Sequence, residues 1–439
     1  MQALDLIDRV KSMSKQVVPI SPVRIPGTDI DYAPGVKAGN WVFLTGIEAV
    51  DYGIGLHPAV AGNPELPYHG LPKHRREGDF VCARFRELLA EAGTSFANTV
   101  RLDQYYPTWK AVDPYHLARR AAFGDYIPPS TSVMMEGLLT RGADISASLL
   151  AVVPGGGREP KRVPTPKVTA PPWSGFVPAV TTGDFVFIAG QMVRGVDGTP
   201  DPRAHVPSHS RWGGYEIRRQ TEYLIREKFL PALQAAGSSP DNAVKAQVYL
   251  RNTDDTPHFL DVWNHHFGER QCALSIVPTT DFGLVPGTIE INLVALTKNG
   301  KTVKQVIDGC IPAEMTYGAA AVRAGDLLML SGMMAVDSSG PLAVMRAGQG
   351  LPYFGGAARA QMEYIVHALK NVCTAGGTSI ENVTRIHQFH SDLGEFYPMH
   401  RAWQEALGGA PMPFTAIQVH PPLPVPACSV IVDCWVHVP

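Results

Sequence analysis

An eight-residue pattern occurs three times in this chain, with about 140 residues between successive copies. The copies read GNWVFLTG at residues 39–46, GDFVFIAG at residues 183–190 and GDLLMLSG at residues 325–332. A repeat of this length is too long for a solenoid and long enough to bury a core of its own. The sequence therefore predicts three similar units, which can assemble into a pseudo-threefold body with clefts between neighbouring units.

The order of predicted elements is the same in every unit. An apolar strand ends at the last Gly of the pattern, and a variable loop leads to a helix whose apolar residues recur at i, i+3, i+4 and i+7. That helix ends at a Gly suited to a left-handed cap, and a strand, a second helix and two further strands follow. The second helices are predicted at residues 114–123, 256–267 and 395–407. The fold class is therefore α/β (α+β), with β-β-α-β-α-β-β units whose sheet carries two helices on one face.

The composition argues against several kinds of partner. The 439 residues are 45% hydrophobic and 18% charged with a net charge of −2, and Lys and Arg form no stripe, so no nucleic-acid partner is expected. No segment reaches the roughly 18 apolar residues of a membrane helix, so no membrane partner is expected either. The six cysteines show neither metal-binding nor redox spacing, which indicates a reducing, cytoplasmic compartment without a metal site or a disulfide framework. Residues 1–17 have apolar residues at helical spacing and are predicted to form a short packing or dimerisation helix.

The units resemble the RidA/YjgF family, also known as the L-PSP endoribonuclease family. The second unit is the most similar, because it reads FIAGQ at residues 187–191 and PGTIEINLVA at residues 286–295, close to the family's own motifs. The resemblance implies three tandem RidA-like (chorismate-mutase-like) units, at residues 1–157 with the N-terminal helix, 168–298 and 310–439. Members of the family are usually homotrimers with clefts between subunits. The resemblance therefore implies that this chain forms an intramolecular pseudo-trimer, either as a monomer or as a dimer.

The resemblance also implies a cofactor-free enzyme with a small-molecule substrate. The best-known activity of the family is the hydrolysis of reactive enamines and imines, in which an arginine near the start of the fifth strand binds the substrate carboxylate and a glutamate on the last strand positions water. In this chain Ser130, Leu274 and Phe414 occupy the arginine position, whereas the glutamate is kept once, at Glu290. One competent cleft is therefore expected, and its substrate either lacks an α-carboxylate or is held by another arginine.

Aromatic and acidic residues supply further candidates for this cleft. Tyr32, Trp173 and Tyr317 stand at the position of the family's cleft aromatic, and Gln191 follows the second copy of the pattern. A phenol can donate a hydrogen bond or act as an acid, and an indole can donate or stack; the alternative is that all three aromatics are packing residues. Glu290 lies on an apolar strand, where burial would raise its pKa and suit it to proton transfer. The alternative for Glu290 is a structural carboxylate between units.

Basic and hydroxyl side chains complete the set of candidates. Arg251 and Asn252 follow a predicted strand, and Arg251 can replace the missing carboxylate anchor; a plain surface arginine before a turn is the alternative. Ser130 is a candidate substrate-binding residue at the former arginine position. His390 or His387 is a candidate base in a cleft, and two residues three apart on a regular strand point to opposite faces and do not chelate a metal together.

The leading hypothesis is a cofactor-free hydrolase or deaminase that acts on a C=N or C–N bond of a small metabolite in a cleft between units. No nucleophile elbow of the Gly-x-Ser-x-Gly type and no phosphate-binding loop occurs in the sequence. The first alternative is a non-catalytic ligand-binding or scaffold protein that has lost the carboxylate-binding arginine. A weaker alternative is a ribonuclease, which the acidic charge balance disfavours.

Overall fold

The fold is a mixed α/β arrangement with three large sheets, each covered by helices on one face. The computed structural model of the protein describes residues 17–63, 66, 70–166, 168, 170, 174–195, 197–209, 215–283, 287–342 and 357–439. The predicted N-terminal helix lies outside these residues except for Val17. Within the described residues, no helix combines the length and the apolar character needed to cross a membrane.

The first sheet is formed by the first third of the chain. Its strands are, in spatial order, Val17–Ile20, Gly35–Ala38, Trp41–Ile47, Ser146–Val152, Thr99–Tyr106 and Ser130–Met134. Neighbouring strands are antiparallel except for the last pair, which is parallel. The helices Lys73–Glu91 and Val112–Phe123 cover one face, and a single helical turn is formed by Pro58–Ala61.

The second sheet repeats this order in the middle of the chain. Its strands are Lys161–Arg162, Ala179–Thr182, Phe185–Gln191, Ile289–Leu296, Ala243–Leu250 and Ala273–Pro278, and again only the last pair is parallel. The first covering helix is interrupted: Tyr215–Tyr223 and Leu230–Ala235 are α-helical, and Leu224–Phe229 between them is a π-helix. The second covering helix is Thr256–Phe267, with the bounds predicted from the sequence.

The third sheet has the same core order and one additional strand from the first third of the chain. Its strands are Gly137–Leu138, Phe414–Gln418, Val383–His390, Val430–His437, Leu327–Leu330, Ala321–Ala324 and Lys304–Ile307. The helices Ala357–Ala375 and Phe396–Ala406 cover it. Gly137–Leu138 pairs with Phe414–Gln418, so the backbone itself links two of the sheets. Short strand pairs also occur between Val23–Arg24 and Asp31–Tyr32, Val50–Asp51 and Gly55–Leu56, and Val336–Asp337 and Gly340–Pro341.

In each sheet, the strand that follows the first covering helix and has a parallel neighbour is buried on both faces, although its side chains are not all apolar. Every residue of Thr99–Tyr106, Ala243–Leu250 and Val383–His390 is buried. In the first sheet, Leu102 packs against Phe85 of the covering helix, within the apolar core of that unit. The neighbouring positions point away from the helices, because side chains alternate along a strand. They meet the corresponding positions of the other two sheets.

A buried polar group, which we call the central cluster, joins the three sheets where these strands meet. Arg101 donates to Asp103 at 3.0 Å and to Gln247 at 2.7 Å, and Arg385 pairs with the same Asp103 at 3.1 Å. Lys245 lies 2.8 Å from Asp433. Since an unpaired buried charge is costly, these partners favour the side-by-side packing of the sheets. The members of the cluster are Arg101, Asp103, Lys245, Gln247, Arg385, His387 and Asp433.

Candidate active site

A cleft of about 610 Å³ lies between the first and second sheets, and we call it the first cleft. The first sheet's side of the cleft comes from the helix Val112–Phe123 and the strand Ser130–Met134. The second sheet's side comes from the end of Phe185–Gln191 and from the strand Ile289–Leu296. The cleft is therefore a shared groove, and its chemistry depends on side chains from both sheets.

The strand registers identify equivalent positions in the three sheets. On the parallel pairs, Leu102 is opposite Ser130, Ala246 is opposite Leu274 and Ile386 is opposite Phe414. On the antiparallel pairs, Tyr105 is opposite Ser146, Tyr249 is opposite Glu290 and Phe389 is opposite Ile431. The backbone thus places Ser130, Leu274 and Phe414 at one equivalent position, and Ser146, Glu290 and Ile431 at another.

Glu290 is the buried carboxylate of the first cleft. It is 4% exposed, and its Oε2 has no hydrogen-bond partner among the described residues. Burial raises the pKa of Glu290 to about 8, although Arg194 and a backbone hydrogen bond from Ser132 act in the opposite direction. A carboxyl group with this pKa can both give and take a proton near neutral pH.

The Gly that ends the repeated pattern makes room for this carboxylate. A Cβ atom at Gly190 would collide with Oε1 of Glu290 and would lie 3.0 Å from Oγ1 of Thr131. Thr131 also accepts a hydrogen bond from Asn292 across the two sheets at 3.0 Å. The absence of a side chain at position 190 therefore lets the carboxyl group stand at the junction of the two sheets.

Arg119 lies beside Ser130, the position at which the sequence lacks an arginine. It is 1% exposed, and it donates from Nη1 to Gln104 at 2.8 Å and from Nη2 to the carbonyl oxygen of Ser174 at 2.7 Å. Nη1 also reaches Oγ of Ser130 at 3.4 Å. Its Nε has no partner within the described part of the chain. A guanidinium group is thus present in the first cleft, although it comes from a helix and not from the fifth strand.

The sequence contains an indication that Arg119 is a site residue, although the comparison with the family's motifs did not identify it. Counting back five residues from the Gly that follows each second helix gives Arg119, Trp263 and Trp403. The two tryptophans are buried core residues. A cation at the equivalent core position is unusual, because a buried charge needs partners. The first of the three second helices therefore differs from the other two at this position, where it carries an arginine that lines the first cleft.

Two further cations line the first cleft. Burial lowers the pKa of Arg194, and the neighbouring Glu290 opposes that shift; Nε of Arg194 has no partner among the residues described. Burial also lowers the pKa of Lys228, whose ammonium group lies 5.9 Å from the ring centroid of Tyr223. Lys228 belongs to the π-helix, an element often found at functional sites. Together with Arg119 these side chains provide a setting for an anionic group near Glu290.

His116 also lines the first cleft and was not predicted from the sequence. Burial holds its pKa well below the usual value, and the nearby Arg119 and Arg120 act in the same direction. The imidazole is therefore neutral at physiological pH. Both of its ring nitrogens are buried, and neither has a hydrogen-bond partner within the described residues.

Three of the predicted site residues line the first cleft, and two lie nearby. Glu290, Gln191 and Ser130 are lining residues. Arg251 is not a lining residue, but it forms an ion pair with Asp281, which lines the cleft. Asn252 caps a short 3-10 turn, since its side chain accepts the backbone N–H of Asp254 at 3.1 Å. Trp173 lies outside the described residues.

The other predicted residues lie at different places in the fold. Tyr32 lines a second cleft, between the first and third sheets. Tyr317 packs against the apolar residues between the second and third sheets, and burial raises its pKa to about 12. His390 is buried in the third unit beside Phe396, with ring centroids 5.9 Å apart. Burial lowers the pKa of His390 to about 3, which leaves this imidazole uncharged.

The junction between the second and third sheets is closed by direct contact. The backbone N–H of Gly332 donates to the carbonyl oxygen of Leu274 at 3.1 Å, and Oγ of Ser331 accepts the N–H of Leu274 at 2.8 Å. The position equivalent to Glu290 is occupied by Ile431 at this junction.

The described residues contain no group of three or more His, Cys, Asp or Glu side chains arranged to hold a metal ion.

Comparisons with known proteins match the middle of the chain most clearly. A family model described as Endoribonuclease L-PSP matches residues 167–297. A RutC family protein of Pyrococcus abyssi is 32% identical over 95 residues, which are 22% of this chain and 65% of that protein. A RutC family protein of Pyrococcus horikoshii is 30% identical over 95 residues, 22% of this chain and 66% of that protein. The matched segment thus spans less than two thirds of the length of either relative.

Solved structures give similarities of two kinds. Yeast Mmf1 is 24% identical and aligns with 32% of this chain and 99% of its own, with a TM-score of 0.26. A chorismatase is 11% identical and aligns with 77% of this chain and 93% of its own, with a TM-score of 0.45. The first similarity covers about a third of this chain, and the second covers about three quarters of it.

Proposed function

From the premise that the segment 167–297 belongs to the RidA/YjgF-like (L-PSP) family, we propose that this protein hydrolyses a C=N or C–N bond of a small anionic metabolite in the first cleft. The observation that carries the proposal is the pairing of one buried, protonatable carboxyl group, Glu290, with the cations Arg119, Arg194 and Lys228 in one groove. The carboxyl group supplies the proton chemistry, and the cations hold the anionic part of the substrate. No cofactor takes part in the proposed reaction.

The raised pKa of Glu290 gives it two roles in the reaction of an imine. In its protonated form, Glu290 gives its proton to the imine nitrogen, which makes the carbon more electrophilic. The resulting carboxylate then takes a proton from water as the oxygen adds to that carbon. A second proton transfer to the nitrogen allows the C–N bond to break, so that ammonia leaves and a carbonyl compound remains. A single group of this kind contributes about 10²- to 10⁴-fold to the rate.

Arg119 is the proposed substitute for the missing arginine of the fifth strand. Its guanidinium group is fixed by Gln104 and by the carbonyl oxygen of Ser174, which orients the remaining N–H groups. A guanidinium group binds a carboxylate through two parallel hydrogen bonds, so a pre-oriented fork favours a planar anion. Ser130 adds a hydroxyl group at the same place, and Gln191 lies on the opposite side of the groove.

We further propose that the three units, at residues 1–157, 168–298 and 310–439, form an intramolecular pseudo-trimer. The central cluster supports this arrangement, because all of its members except Asp433 come from the equivalent strand of the three sheets, and Asp433 lies on the neighbouring strand Val430–His437. The chain is then a monomer or a dimer in solution. Sedimentation of the full chain tests this point, and a mass of three or more chains would contradict it.

An alternative proposal is a ligand-binding protein without catalysis. It is favoured by the Ser, Leu and Phe residues at the three arginine positions. The two proposals differ in the fate of the ligand, since the alternative predicts binding of small anions without release of ammonia.

The test is a coupled assay of ammonia release from a panel of imines, enamines and amides, each supplied with and without a carboxylate. The full-length protein is compared with Glu290→Gln, and the matched control is Glu381→Gln, which replaces an exposed carboxylate by the same amide. We expect the turnover number to fall about 10²- to 10⁴-fold in Glu290→Gln and to stay unchanged in the control. Equal turnover by both variants would remove Glu290 from the mechanism. Anion binding without turnover on any compound would favour the alternative.

A further inference from the structure

A second cleft of about 260 Å³ lies between the first and third sheets, at the place that corresponds to the first cleft. Gly46 is the equivalent of Gly190, and it approaches Phe414 so closely that a Cβ atom would lie 2.5 Å from the carbonyl oxygen of Phe414. Oγ of Ser148 lies 3.0 Å from Oγ1 of Thr415 across the two sheets. The second cleft is thus formed by the same backbone positions as the first.

The second cleft has a carboxyl group that comes from a different position, just after the strand Trp41–Ile47. Its equivalent of Glu290 is Ser146, which lacks a carboxylate. Glu48, two residues after Gly46, lines the cleft instead and is 6% exposed. Its Oε2 accepts the backbone N–H of Thr140 at 2.9 Å. Burial raises the pKa of Glu48, against the effect of hydrogen bonds from Thr140 and Ser146.

Aromatic rings form much of the remaining wall. The ring of Tyr32 lies 4.9 Å from that of Phe414 in an edge-to-face contact, and 5.8 Å from the ring of Tyr52. The Tyr32 hydroxyl donates to the carbonyl oxygen of Thr45 at 2.5 Å, which fixes the orientation of the ring. Rigid rings at such angles favour a flat aromatic guest, because ring pairs prefer offset and edge-to-face arrangements.

The charge of the second cleft differs from that of the first. Among the described residues that line it, Arg141 is the single cation, and it is exposed at the rim. Asp51 and Glu48 add acidic groups. An anion would meet these acids without a buried cation to offset them, whereas a neutral or weakly basic N–H group would find an acceptor in Glu48.

We propose that the second cleft is a separate binding site for a small planar nitrogen heterocycle whose amino N–H group is hydrogen-bonded by Glu48 between the rings of Tyr32, Tyr52 and Phe414. The volume suits a single ring, since drug-sized pockets start at about 300 Å³. The site goes beyond the hydrolysis proposed for the first cleft, and it requires no bond to be made or broken.

The probe for this site is 2-aminopyrimidine, with benzoate as an anionic ring of similar size. Binding to the full-length protein is measured by calorimetric titration and is checked by ligand-observed NMR. We expect saturable binding of one 2-aminopyrimidine per chain, at least tenfold tighter than that of benzoate at this cleft. Failure of 2-aminopyrimidine to bind, or tighter binding of benzoate there, would overturn the proposal.

Two variants test the position of the site. Glu48→Met keeps the length of the side chain and removes the acceptor, so the affinity should fall about tenfold, as expected for the loss of one hydrogen bond. Leu139→Trp acts at a lining residue that is 38% exposed, so it narrows the cleft without disturbing the core. It should weaken binding to a similar or greater extent. Glu381→Gln serves as the matched control, and wild-type affinity in both cleft variants would contradict the assignment.

The assay does not depend on turnover in the first cleft. Loss of ammonia release in Glu290→Gln and binding of 2-aminopyrimidine are independent measurements. The proposed hydrolysis can therefore fail while the second site stands, and the second site can fail while the hydrolysis stands.

Discussion

The first and second clefts occupy equivalent positions in the fold but have different chemistry. In the first cleft, Glu290 stands on the last strand of its sheet among Arg119, Arg194 and Lys228. In the second cleft, the equivalent position on the last strand is occupied by Ser146. The carboxyl group there belongs to Glu48, which lines the cleft together with aromatic rings. The comparison teaches that the backbone of a repeated unit fixes where a groove forms, whereas a few side chains decide what it can bind.

The third junction extends this comparison. There Ile431 and Leu274 occupy the positions of Glu290 and Ser130, and backbone hydrogen bonds close the space between the sheets. An apolar pair at these two positions removes both the proton-transfer group and the polar anchor. The three junctions thus range from charged and open, through aromatic and acidic, to closed.

The largest effect that we expect is on stability, and it compares the two buried carboxyl groups. The folded-state pKa of Glu290, about 8, lies above its ordinary value of 4.5. Its contribution to stability is therefore complete below pH ~4.5 and is lost as the pH rises to ~8, at about 1.4 kcal/mol per pH unit. The Glu290→Gln variant has no carboxyl group to titrate at this position and does not lose this stability. The difference in unfolding free energy, variant minus wild type, should therefore rise by a few kcal/mol between pH ~4.5 and ~8.

Glu48→Gln should show a smaller rise, because hydrogen bonds from Thr140 favour the charged form of Glu48. Urea unfolding of the three proteins at a series of pH values measures both effects. A constant difference between wild type and Glu290→Gln from pH 4.5 to 8 would show that the pKa of this carboxyl group is not raised in the folded protein.

The next effect concerns the cation that sets the first cleft apart. Arg119→Gln should lower kcat/KM for an anionic substrate by about 100-fold, because hydrogen bonds to a charged group are worth roughly 1.5–3 kcal/mol. The uncharged amide of the same substrate should be affected much less. Steady-state kinetics on the two compounds measure the difference, and an equal loss on both would indicate a purely structural role for Arg119.

A smaller effect is expected from the glycines at the ends of the repeated pattern. Gly190→Ala should displace the carboxyl group of Glu290 and lower kcat by about tenfold, since small misplacements of a reacting group are costly. Gly332→Ala is the matched change at the closed junction, where the new Cβ would lie 3.0 Å from atoms of Ile431 and Ser275. It should cost some stability and leave kcat near the wild-type value. Equal kcat values for the two variants would contradict the assignment of the first cleft.

The smallest effect is on the pH profile of the first cleft. Arg194 favours the charged form of Glu290, so Arg194→Met should raise the pKa of that carboxyl group. The pH dependence of kcat/KM should then move upward by about one unit, as expected for loss of a nearby opposite charge. An unchanged profile would mean that Arg194 is too far from Glu290 to influence it.

Much of the fold could be predicted from the sequence. The second helices predicted at residues 114–123, 256–267 and 395–407 are found at Val112–Phe123, Thr256–Phe267 and Phe396–Ala406. The mixed α/β class was likewise predicted, because apolar periodicity and Gly positions act over short distances along the chain. The RidA/YjgF-like resemblance was confirmed in the middle of the chain, where the motifs are best kept. The same motifs also singled out Glu290 as the carboxylate on the last strand.

What the sequence alone determined was therefore the recurring order of strands and helices and the strand on which Glu290 lies, because both depend on local patterns. Tertiary structure decided which side chains share a groove. Arg119 and Glu290 are far apart in the chain and line one cleft only because two sheets pack side by side. Glu48 lines the second cleft from a position just after the strand Trp41–Ile47, which no family motif marks. Such encounters depend on how buried charges and apolar faces are partnered across the whole molecule, and no short stretch of sequence carries that information.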